Sequence, residues 1–95
     1  MHNDHKQMLK ALGANIRAAR IKVGLTLPTL SKLSGVSRGN VSKAEHGGNI
    51  TALTLYRLCW SIGIHPAAVL PPFRPKRSAA QPNGVYPKAK SILKP

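Results

Sequence analysis

Acid is the scarcest chemistry in this chain: two Asp and Glu stand against fifteen Lys and Arg in 95 residues, a net charge of +13 at pH 7. Such an excess repels itself unless a polyanion neutralises it, which points to nucleic acid or an anionic surface. Two acids do not supply the paired carboxylates of general acid and base catalysis or the acidic cluster a nuclease needs for its metal ions, so no enzyme is expected. A single cysteine allows neither an internal disulfide nor a multi-cysteine zinc site. Histidines stand at 2, 5, 46 and 65, but only His2 and His5 are close in sequence and nothing completes a tetrahedral set, so no metal and no cofactor is expected. Four aromatic residues are too few for a base-stacking platform of the single-strand or RNA-recognition kind. No apolar run approaches the roughly 18 residues of a membrane span, and Met1-His2-Asn3-Asp4-His5 is too polar for a secretory signal. The expectation is a cytoplasmic protein without a membrane partner.

What is present is a hydrophobic fraction of 42% beside a charged fraction of 18%, more apolar than a disordered basic tail and enough for one small core. The chain divides near Leu70. Residues 1–70 hold nine Lys and Arg and both acids, whereas residues 71–95 hold six basic residues, no acid and six of the eight prolines. Closely spaced prolines fix φ and delete backbone donors, so residues 71–95 are expected to form an extended, flexible basic tail.

Over residues 1–70 the apolar spacing is helical. Leu9, Leu12, Ile16, Ala19 and Val23 form one inner stripe, with Lys10, Arg17 and Lys22 on the opposite face and Gly24 as the stop. Thr26 is placed to cap a second helix with Pro28 in its first turn, ending before Gly35. Ser37 then caps a third helix from Arg38 to about His46, closed by Gly47-Gly48. Asn49 or Thr51 caps a fourth, with Leu55, Leu58, Cys59 and Ile62 inward and Gly63 at its end. Pro66 opens a fifth short turn through Leu70, so the fold class is all-α with five short helical elements.

Two short helices joined by Ser34-Gly35-Val36-Ser37 have the parts of a helix-turn-helix: a glycine for the bend, a buried aliphatic in the turn, and a capping residue that opens the next helix. In the third helix Val41 and Ala44 face the core. Arg38, Asn40 and Lys43 are then left outward with Ser37 at the helix start. These are base-reading types: Arg pairs bidentately with guanine and Asn with adenine. Gly39 in mid-helix costs roughly 0.5–1 kcal/mol relative to Ala, for which close approach to DNA is one reason and simple tolerance the other.

The residues Leu12-Gly13, Ile16-Arg17, Arg20, Gly24-Leu25-Thr26, Leu30, Gly35-Val36-Ser37, Val41-Ser42, Glu45 and Gly47, taken in order, resemble the Cro-type (XRE-like) helix-turn-helix repressors of phages, plasmids and bacteria. The resemblance spans about residues 8–70. It implies a lambda-repressor-like bundle whose third helix enters the major groove of double-stranded DNA. It also implies a partly buried ion pair between Arg20 and Glu45 that ties the first helix to the third. Phosphate contacts fall to Thr26, Lys32, Ser42 and His46, the last at a position where the family usually has a polar residue.

Two departures from the family pattern bear on function. The residue after Thr26 is commonly Gln in the family and is Leu27 here, which removes one expected phosphate contact. Leu53 and Trp60 on the fourth helix stand where polar residues are usual, and an outward Trp beside Leu53 and Tyr56 suggests a homodimer surface. The other reading is that Phe73 or Tyr86 of the tail covers this patch. The leading expectation is a sequence-specific transcriptional repressor that binds a palindromic operator as a homodimer, with no small-molecule effector. A DNA-binding antitoxin and a non-specific architectural nucleic-acid-binding protein are the alternatives.

Overall fold

The computed structural model describes residues 2–72, with side chains from His5 onward. Its elements in chain order are α1 (His2–Lys22), α2 (Leu27–Ser34), α3 (Arg38–Glu45) and α4 (Ala52–Ile62), followed by one 3-10 turn, Pro66–Ala68. No described residue is in a strand, so the all-α expectation holds. Where a fifth short helix is expected there is this single 3-10 turn. Its His65 Nδ1 accepts the Ala67 N–H at 2.9 Å, and Pro71-Pro72 leaves no room to extend it.

Helix α1 reaches back to His2, so Asp4 lies within its first turn. At its other end the helix stops sooner than its apolar stripe suggests. Gly24 takes a left-handed φ of 80°, the Gly24 N–H donates to the Ile21 carbonyl, and the Leu25 N–H donates to the Arg20 carbonyl at 3.0 Å. This reversal satisfies the last carbonyls of α1 and brings the residue after the glycine back onto the helix. Leu25 therefore packs against the core, while Val23, expected inside, is 50% exposed.

The remaining boundaries follow from local chemistry. Thr26, Ser37 and Thr51 each accept a backbone N–H three residues on, from Thr29, Asn40 and Thr54. Each cap satisfies a donor that the first turn cannot, worth about 1 kcal/mol. Between α2 and α3 the chain turns through Gly35, in the left-handed region at φ 75°, whose N–H returns to the Ser31 carbonyl. Two hydroxyls complete this turn: Ser31 Oγ donates to the Val36 carbonyl at 2.6 Å, and Ser34 Oγ accepts the Val36 N–H at 3.1 Å. With both polar groups of its backbone satisfied, Val36 can be buried inside a loop.

The core joins all the elements: Ile16 of α1, Leu30 of α2, Val41 and Ala44 of α3, Leu58, Cys59 and Ile62 of α4, with Val36 and Val69 from the connections. Val69 also anchors the end of the bundle, because its carbonyl accepts from Asn15 Nδ2 at 2.9 Å. No buried polar side-chain atom among the described residues lacks a partner. No described helix is long and apolar enough to cross a membrane. The tail expected over residues 71–95 lies, beyond Pro72, outside the described residues.

Candidate nucleic-acid interface

Helix α3 is held in place by α1 through two contacts of different kinds. The first is polar: Arg20 Nε donates to Glu45 Oε2 at 2.6 Å and Nη2 donates to Oε1 at 3.1 Å, with the Glu45 side chain 2% exposed. The remaining Arg20 nitrogen, Nη1, donates to the Leu25 carbonyl at 2.7 Å, so the guanidinium also fixes the chain as it leaves α1. A two-bond, coplanar pairing sets orientation as well as distance. The second contact is steric. A Cβ on Gly13 would lie 2.3 Å from the Ala44 carbonyl oxygen and 2.8 Å from the Glu45 carbonyl carbon, so the backbones of α1 and α3 touch there.

Held this way, α3 turns Val41 and Ala44 inward and leaves Arg38, Gly39, Asn40 and Lys43 exposed. The outward set is the one expected from the helix period. Ser37 is exposed and its Oγ accepts the Asn40 N–H at 3.2 Å, which leaves its hydroxyl hydrogen free to donate. Nothing in the protein lies within 4 Å of a Cβ built on Gly39, so no internal contact demands glycine there. Gly48 is different: its Cβ would meet Lys43 Cγ at 2.4 Å, so a bare backbone lets the Lys43 stem lie across the turn.

The residues assigned to phosphates are less uniform. Lys32 is exposed in the last turn of α2. Thr26 is exposed, but its hydroxyl accepts from Thr29 N and donates to Thr29 Oγ1 at 2.9 Å. With Thr29 N–H taken and Pro28 lacking one, the donor left at the start of α2 is the Leu27 N–H. The Leu27 side chain meanwhile packs against the core, which explains how this chain accepts an apolar residue there. Ser42 is half-buried and its carbonyl lies 2.7 Å from His46 Nδ1. Since a carbonyl oxygen only accepts, that nitrogen carries the hydrogen of this bond, which leaves Nε2 of the exposed His46 without a partner in the described residues.

On α4, Leu53, Tyr56 and Trp60 are exposed by 59%, 58% and 80%, so the ring expected to point outward does. Cys59, between them in sequence, is fully buried, and desolvation raises its thiol pKa above the ordinary value of 9.0. No group of His, Cys, Asp or Glu among the described residues is arranged to hold a metal.

Sequence reasoning missed three contributors. Gly13 was visible as a mid-helix glycine without an assigned purpose, and its close approach to α3 supplies one. Ser31 and Ser34 lock the turn through hydrogen bonds that only the folded turn brings together. Asn15 spans 54 residues to reach Val69, and no local pattern announces such a bond.

The geometry matches known proteins. The helix-turn-helix family profile matches residues 16–69. Among solved structures, the restriction-modification controller protein C.AhdI from Aeromonas hydrophila is 30% identical, with a TM-score of 0.63 over 65% of this chain and 96% of that one. The clp gene regulator ClgR from C. glutamicum is 35% identical, with a TM-score of 0.62 over 65% of this chain and 82% of that one. No curated protein sequence matches the chain significantly. The chain belongs to the XRE-like helix-turn-helix family of DNA-binding transcription regulators.

Proposed function

We propose that this regulator is a sequence-specific repressor that occupies a palindromic operator as a homodimer and blocks the promoter by steric occlusion. The observation that carries the proposal is the exposed row Ser37, Arg38, Asn40 and Lys43 on a helix whose position is fixed by the Arg20–Glu45 pair. Arg38 and Asn40 have the donor geometry to discriminate bases, each good bidentate pair contributing about 1–3 kcal/mol. Lys43 reaches base edges or the adjacent backbone from the next turn. Lys32, the Leu27 amide at the Thr26 cap, Ser42 and His46 set the register on phosphates without adding sequence information.

The homodimer rests on Leu53, Tyr56 and Trp60. A large aromatic that is 80% exposed, beside a Leu and a Tyr more than half exposed, has the composition of an interface anchor. A two-fold pair of recognition helices reads half-sites about one helical turn apart. The gene-regulatory roles named for C.AhdI and ClgR agree with a regulator of this size.

The test is selection of bound duplexes from a random pool at near-physiological salt with excess non-specific competitor. An enriched inverted repeat supports a dimeric operator reader. Tight, salt-sensitive binding without enrichment would replace it with an architectural role.

A further inference from the structure

Helix α1 carries charge that the recognition geometry does not use. Lys6, Lys10 and Arg17 are all exposed, and at 100° per residue they fall within an arc of about 40° on the helix. They form a ridge along the flank of α1 that borders α3. Two contacts locate it. A Cβ on Gly47 would lie 3.0 Å from Lys10 Cγ, so Lys10 rests against the turn that follows α3. Arg17, Lys22 and His46 line the same open groove of about 580 Å³, together with Ala14, Ala18, Ile21 and Glu45. The ridge therefore extends from the C-terminal end of α3, at Arg17, to the first turns of α1, at Lys6, with about two helical turns between Arg17 and Lys10.

Nothing in the bundle accounts for these charges. Among residues with described side chains Glu45 is the only acid, and both its oxygens are taken by Arg20. Among the residues with described side chains none of the three cations closes a salt bridge, and none packs into the core. We propose that the Lys6, Lys10 and Arg17 ridge is a second phosphate-binding track, which holds a stretch of DNA backbone beyond the phosphates reached by α2 and α3. The occupant follows from charge complementarity and from continuity with the α3 surface: a regular anionic polymer matches a row of cations of one sign along a rigid helix. The ridge rests on the DNA-binding reading, and it adds affinity without selecting sequence, because its groups are placed to meet phosphates and not base edges.

The test is the salt dependence of binding to a selected duplex with long flanks, for the full chain and for Lys6→Gln, Lys10→Gln and Arg17→Gln singly and together. Each lost phosphate contact lowers the slope of log K against log salt by about 0.9, hence by about 1.8 per substitution in a bound homodimer and by about 5.4 for the triple variant. The preference for the selected site over a scrambled one stays unchanged, as does the far-UV circular dichroism. Lys10→Arg, which keeps the charge, keeps the slope. Arg57→Gln, an exposed cation on α4 that does not line this groove, is the matched control. Trimming the duplex flanks abolishes the difference between wild type and the triple variant. An unchanged slope in the triple variant overturns the track while leaving the operator-reading function standing. An equal loss from Arg57→Gln overturns it too, since net charge alone would then explain the effect. Failure of the wild type to prefer any site contradicts the function and not the ridge.

Discussion

The Arg20 guanidinium grips the Glu45 carboxylate through two bonds, at 2.6 Å and 3.1 Å, and so joins the last turn of α1 to the last residue of α3. A helix two turns long has little intrinsic stability, so the angle of α3 depends on what it is fastened to. Here the fastening is a buried charge pair whose third donor holds the Leu25 carbonyl.

Removing one partner leaves the other charge buried. Glu45→Ala is expected to destabilise the fold by about 3–5 kcal/mol. For a domain of this size that is a fall of well over about 10 °C in Tm, read by thermal unfolding. The double replacement Arg20→Met with Glu45→Leu should recover most of that stability, because no unpaired charge remains.

Two glycines should respond in opposite ways. Gly13→Ala pushes a methyl group into the α3 backbone, so it should destabilise the fold by about 1–3 kcal/mol and weaken DNA binding through the displaced helix. Gly39→Ala meets open space in a helix and should stabilise the fold by roughly 0.5–1 kcal/mol. Paired unfolding and binding curves check both signs.

The contrast shows how far a sequence carries. Thr26, Ser37 and the inward positions Val41 and Ala44 were legible because caps and the 3.6-residue period are local rules, while of the two caps open for α4, Asn49 and Thr51, the helix uses Thr51. The outward face of α3 followed from the same period. Val23 was misplaced because its spacing fits the stripe but the Gly24 reversal ends the helix first and substitutes Leu25 in the core. The Asn15 bond to Val69 and the Gly13 contact depend on elements meeting in space, which no local pattern encodes.

Burial pushes the Cys59 thiol pKa up, which disfavours the thiolate in the folded state. The unfolded chain ionises near the ordinary value of 9.0 while the folded one resists, so this contribution to stability is complete below that pH and is lost as pH rises past it. Cys59→Ala should lose less stability than the wild type between neutral and strongly alkaline pH in denaturant titrations. A thiol reagent at neutral pH should label Cys59 only at the rate of unfolding.

Trp60→Lys, alone or with Leu53→Lys, places charge on the exposed face of α4 without touching the core. Sedimentation should show a dimer converted to a monomer of unchanged helical content. Binding to a single half-site should persist while binding to the paired site loses its advantage.

The measurement that bears most directly on α3 as the reader of sequence compares Arg38→Ala with the wild type across a selected site and its single-base variants. The expected result is a loss of about 1–3 kcal/mol in discrimination, confined to one position in each half-site, with an unchanged salt slope at scrambled DNA. A uniform loss at every sequence would contradict the account, because Arg38 would then be one more phosphate contact and α3 would not be reading bases.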